Sequence, residues 1–107
     1  METPAAVRRM IDATNAGDSE AFVDAFTDDA YLEDWGRSFH GREGVASWNQ
    51  SDNIGRDAHF EATSTVQRPD GSYIVTLVVT GGGFNGTSDI AFEVEGDRIR
   101  SMVISAD

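Results

Sequence analysis

The sequence predicts an α+β fold, with helices first and a curved antiparallel sheet wrapped around them. Three observations carry this. Apolar residues in the first half recur at helical spacing, as in Val7, Met10, Ile11 and Thr14. From His59 onward the spacing switches to period two. Turn chemistry at Pro69-Asp70-Gly71, Gly81 to Gly86 and Gly96-Asp97 then divides the second half into four consecutive strands.

Thr3-Pro4 reads as a cap followed by proline at the first helical position, and Asn15-Ala16-Gly17 ends that helix. Asp18 or Ser19 caps a second helix with Phe22, Val23, Ala25 and Phe26 on its apolar face, ending near Asp28. Both helices are one-sided, so each must lie on something. A strand over 30–35 follows, then a loop, then a third helix over 41–49 with Val45 and Trp48 three apart. The polar segment 50–57 reads as a loop. Strands are expected over 59–67, 73–80, 87–94 and 98–105. All 107 residues are expected to form one domain.

Composition narrows the function classes. Without cysteine there is neither a disulfide framework nor a thiolate metal site. The formal net charge is −11, and all eight basic residues are arginine. That balance repels phosphate backbones and anionic membranes, so nucleic acid and membrane partners are not expected. No apolar run reaches transmembrane length and the N-terminus lacks signal-peptide character, which makes a cytoplasmic protein the expectation.

The stretch Thr27 to Trp48 organises the rest. Alternation in a strand puts Asp34 on the face of Ala30 and Leu32, so a carboxylate follows two apolar side chains inward. Such a group is costly unless paired, protonated or used. Asp34 either caps the loop at Gly36 or serves proton transfer or ligand binding. Its expected surroundings are a mostly apolar pocket walled by Met10, Leu32, Trp48 and Phe60, with Arg37 or Arg42 as the only nearby cations. Trp35 and Trp48 are core or rim residues that can double as a ligand platform. His40 precedes a helix and His59 suits the outer face of its strand. No third ligand stands at a recognisable spacing from them, so no metal is expected. The triglycine at Gly81 to Gly83 precedes a strand rather than a helix and lacks a lysine, so it reads as a hairpin connection and not a phosphate loop.

NAGD at Asn15 to Asp18, FTDDAYLED at Phe26 to Asp34, HGRE at His40 to Glu43 and the closing GFNGTSDIAFEVEGDRIRSMVI resemble the nuclear transport factor 2-like superfamily. Its members include SnoaL-like cyclases and ketosteroid isomerases. The resemblance runs from about Val7 to Ile104. It implies a cone-shaped α+β barrel, a pocket between sheet and helices, and a homodimer through the outer face of the sheet. In the isomerase branch Asp34 takes the place of the general base and Asp89 that of a protonated oxyanion-site aspartate. Met10 stands where that branch has a tyrosine, and methionine donates no hydrogen bond. Asp89 alternates with Ala91 and Glu93, away from the apolar Ile90, Phe92 and Val94, so it points inward only across a bulge or at an open end of the cone.

Two functional readings stand. In one, the protein is a ketosteroid isomerase-like enzyme: Asp34 moves a proton on a small apolar carbonyl compound, with Asp89, His59 or a water as donor to the enolate. In the other, the cone is a ligand-binding or dimerisation module without chemistry. No cofactor is expected in either. The strand 73–80 is apolar on both faces, which predicts a second copy against its outer side.

Overall fold

The computed structural model describes residues 2–105. Helices α1 (Ala5–Ala16), α2 (Ser19–Asp24) and α3 (Gly41–Asp52) pack on a six-stranded sheet of β1 (Phe26–Asp34), β2 (Arg37–His40), β3 (His59–Gln67), β4 (Tyr73–Thr80), β5 (Gly86–Glu95) and β6 (Arg98–Ile104). The strand order is β2-β1-β6-β5-β4-β3. The architecture is the expected α+β cone, with two corrections. The sheet is mixed, because β1 runs parallel to β6. It is also open, since β2 and β3 are its two edges and do not pair with each other. Register shifts between Ala62 and Ser64, and between Glu93 and Val94, interrupt the ladders. Such bulges bend a sheet and increase its twist.

The NAGD stretch builds the first corner. Gly17 closes α1 in the left-handed conformation at φ 70°, and the Asp18 carboxylate accepts from Ala21 N at 3.1 Å to cap α2. Asn15 reaches across to β3, donating to Phe60 O at 2.9 Å and accepting from Phe60 N at 2.7 Å. One side-chain amide thus satisfies both backbone groups of a strand residue and fixes Phe60 against the helices. The expected Thr3 cap is not formed: Pro4 occupies the N-cap position and the Thr3 hydroxyl bonds that of Thr65 at 2.8 Å.

Helix α2 stops at Asp24, earlier than its apolar pattern suggests. Phe22 and Phe26 are four apart and their rings meet at 5.3 Å, as on a helix face. Phe26, however, already belongs to β1 and pairs with Ile99 of β6. Strands β3 and β4 have the expected limits, and β5 and β6 differ by one residue at their ends. β2 and a 3₁₀ turn at Ile54–Arg56 occupy segments expected to be loops.

The core lies on the concave face. Val75 and Leu77 of β4, Ile90 and Phe92 of β5, and Ile99 and Met102 of β6 meet Val7, Met10, Phe22 and Val45 from the helices, all fully buried or nearly so. On the convex face Ile74, Thr76 and Val78 of β4 are half-buried. Among the described residues, no helix is long and apolar enough to cross a membrane.

Candidate functional site

The site begins with a hairpin that the sequence pattern does not announce. Asp34 and Arg37 are paired across β1 and β2, leaving only Trp35 and Gly36 in the turn. Both have positive φ, 50° and 84°, as a primed two-residue hairpin demands. Asparagine, aspartate or glycine normally fills such positions, so a tryptophan there conceals the turn. The Trp35 N–H bonds Ile104 O at 3.0 Å, which ties the turn to the end of β6.

Asp34 continues the inner face of Ala30 and Leu32, as alternation requires, but its surroundings are more polar than expected. Oδ2 accepts from Arg37 Nη2 at 2.7 Å and from Trp48 Nε1 at 2.9 Å. Arg37 also donates to both oxygens of Asp52, at 3.0 and 3.3 Å. Trp48 and Asp52 are four apart on α3, so one helix face supplies the indole and the second carboxylate. Of the two arginines expected near Asp34, Arg37 is its partner, while Arg42 pairs with Asp28 and donates to Phe26 O. Burial pushes the Asp52 carboxyl up. Hydrogen bonds from Arg37 and Ser51, with the charges of Arg37 and Arg56, outweigh it, and the net position lies below the ordinary 3.8. The Arg37 guanidinium is raised by the Asp52 hydrogen bond, partly offset by burial.

This group borders a cavity of about 910 Å³. Asp34, Trp35, Trp48 and Phe60 all line it, together with Arg37, Asp52, Asn53, Arg56, Val79, Phe84, Ser88, Ile90 and Ile104. Trp35 and Phe84 are 59% and 51% exposed, and among the described Phe, Trp and Tyr residues they are the two exposed ones. Met10 and Leu32 do not reach the cavity: both are fully buried in the core behind it, because α1 packs directly on the sheet there. His59 is exposed and lies outside the lining. Asp89 borders the cavity, yet its Oδ1 accepts from Thr76 Oγ1 at 2.7 Å on the convex face. The register shift in β5 comes only at Glu93/Val94, too late to turn the Asp89 carboxyl inward.

Three lining residues, Asp52, Asn53 and Arg56, come from the segment expected as a loop. Helix α3 outruns its apolar pattern, and no periodicity marks where a polar helix end will point. Asn53 donates to Thr14 Oγ1 at 3.0 Å and Asn49 Oδ1 at 3.1 Å, but its own Oδ1 is buried without a partner. Among the described residues no group of three or more His, Asp or Glu side chains is placed to hold a metal ion.

An open cone of helices and curved sheet around a mixed polar and apolar cavity is the architecture of the nuclear transport factor 2-like proteins. The SnoaL-like domain family model matches residues 7–102, and the chain belongs to that family. Among solved structures, the epoxide hydrolase/cyclase-like enzyme SalBIII of salinomycin formation is similar at TM-score 0.82 and 22% identity, over 94% of this chain and 86% of that one. RV0760c from Mycobacterium tuberculosis, in complex with estradiol-17beta-hemisuccinate, gives 0.82 and 17% over 99% and 95%. The Delta 5-3-ketosteroid isomerase from Mycobacterium sp. gives 0.80 and 16% over 96% and 91%. Likeness at these identities concerns the fold. No functionally curated protein matches the sequence significantly.

Proposed function

We propose that the protein takes a small, largely apolar carbonyl compound into the cavity and that Asp34 moves a proton on it. One observation carries this reading. Both protein donors to Asp34 fall on Oδ2, which leaves Oδ1 without a partner among the described residues, and Asp34 lines the cavity. In such a step Oδ1 takes a proton from the carbon next to the carbonyl. The C–H electrons pass into the enolate, and the same carboxyl returns the proton at another carbon. Arg37 offsets the cost of holding the charge half-buried. The isomerase and steroid-bound neighbours support the substrate class. The test is the isomerisation of a β,γ-unsaturated ketone, followed by ultraviolet absorbance. Asp34→Asn should lower turnover at least about a hundredfold while ligand affinity changes only severalfold. Unchanged turnover would sink the assignment.

A second reading, a binding module without chemistry, is favoured by the donor side of the site. Met10 is buried where the isomerases have a tyrosine, and the Asp89 carboxyl is engaged on the convex face. If the wild type binds apolar ketones but turns none over, this reading replaces the first. In either case we propose a homodimer through the convex face, where Ile74 and Val78 of β4 present apolar surface. A monomer in light scattering at micromolar concentration would refute the dimer.

A further inference from the structure

The triglycine loop has no part in the proton-transfer reading, yet it shapes the rim of the same cavity. Gly81 adopts φ 140°, and a Cβ there would stand 2.5 Å from Asp57 O. A Cβ on Gly82 would stand 3.0 Å from Arg56 O, which accepts from Gly82 N at 2.8 Å. The position of a Cβ on Gly83 is 3.5 Å from Arg56 Cβ. Bare backbone therefore lies directly on the Arg56–Asp57 segment. The Asn85 amide staples the loop from within, donating to Gly81 O at 2.9 Å and Gly83 O at 3.1 Å and accepting from Gly81 N at 3.1 Å. Phe84, carried by this loop, and Arg56, held beneath it, thus line one stretch of the cavity together.

Among the described residues, Arg56 is the cation of the wall without an ion pair, and Asp89, bonded to Thr76 on the convex face, is the carboxylate without one. Arg37 is bonded to both Asp34 and Asp52, so those three charges are mutually committed. Arg56 spends only Nε, on Ser51 O at 3.2 Å, and makes no ion pair among the described residues. Its terminal nitrogens have no hydrogen-bond partner among the described residues, and the side chain lines the cavity. In a chain of net charge −11, an anion is held only where such a local cation outweighs the general repulsion. Phe84 on the same rim is half exposed, and Phe60, Val79 and Ile90 continue the apolar wall.

We infer that the ligand of this cavity is a ring-bearing apolar acid, its anionic group bonded by Arg56 and its ring lying against Phe84. The inference rests on the cavity being the ligand site and names the class of ligand it takes.

The experiment uses two dyes that brighten in apolar sites and differ by one charge. They are 1-anilinonaphthalene-8-sulfonate and the neutral N-phenyl-1-naphthylamine, titrated by fluorescence into the full chain. Arg56→Gln should weaken the sulfonate about tenfold, the scale of one charge-assisted contact, and leave the neutral dye within about twofold. Phe84→Ala should weaken both. Ser88→Trp, which fills the cavity from β5, should abolish both signals. If Arg56→Gln shifts the two dyes equally, the anion assignment is overturned and the cavity reading stands. If both signals survive Ser88→Trp, or neither dye binds the wild type, the cavity is not the ligand site and both readings fall.

Discussion

The concave face of the sheet has two halves that differ in what holds them. In the dry half, Leu32, Met10, Phe92 and Met102 are fully buried, and their side chains are held by packing rather than by ion pairs. In the cavity half, two residues further along the same strand, Asp34 enters a chain of bonds from Trp48 through Arg37 to Asp52. The dry half is stabilised by volume and area removed from water. The cavity half is stabilised by matched donors and acceptors, and it leaves aromatic surface and one cation uncovered. A single strand can therefore serve both stability and chemistry, provided its inner face changes character near the end.

The largest effect should come from breaking the dry half. Leu32→Ala removes a side chain with no exposed surface and leaves a hole that neighbouring strands cannot close. A loss of about 2–5 kcal/mol is expected in urea denaturation. A loss below about 1 kcal/mol would show that this half is not the rigid one, and the contrast would fail.

The cavity half should respond in the opposite direction at Trp35. A bulky residue at φ 50° is strained, and 59% of its surface is exposed, so little burial offsets that strain. Trp35→Asn places a residue that tolerates the left-handed conformation in the same turn. Stability should rise by about 1 kcal/mol, read as a higher melting temperature, while affinity for apolar ligands falls. Destabilisation would mean that the indole packs at the rim more than its exposure suggests.

The two halves were also unequally legible in the sequence. Strands β3 and β4 could be bounded to the residue because period two and the Pro69-Asp70-Gly71 turn agree. The facing of Asp34 followed from alternation alone. The β1–β2 hairpin escaped because Trp35 holds a position where turn chemistry predicts asparagine or glycine. Met10 and Leu32 were expected in the cavity wall because periodicity identifies a buried face but not the depth at which packing closes it. Asp52 and Arg56 were missed for a different reason. Their placement depends on how far α3 continues past its last apolar residue and on a glycine loop crossing from 25 residues away, and neither leaves a local pattern.

The smallest expected effect tests whether the charged chain at the cavity mouth contributes to stability at all. In the folded protein the Asp52 carboxyl lies below its ordinary 3.8, whereas the unfolded chain takes the ordinary value. Its contribution is therefore present above that pH and is lost as pH falls through the folded-state value. Arg37 is raised above its ordinary value, so its contribution is fully present below that value and is lost only on the far alkaline side. A neutral-to-acid titration accordingly reads Asp52 and not Arg37. Asp70 is also held low, by hydrogen bonds from Ser72 at the β3–β4 turn, so the acid slope of the wild type has more than one source. Subtracting the slope of Asp52→Asn isolates the mouth. Between about pH 5 and pH 2.5 the wild type should lose more melting temperature than Asp52→Asn, by a few degrees at most, because Asp52 is partly open to solvent. Equal losses would mean that the Arg37–Asp52 bonds position groups without stabilising the fold, and the cavity half would then rest on Trp48 and the backbone alone.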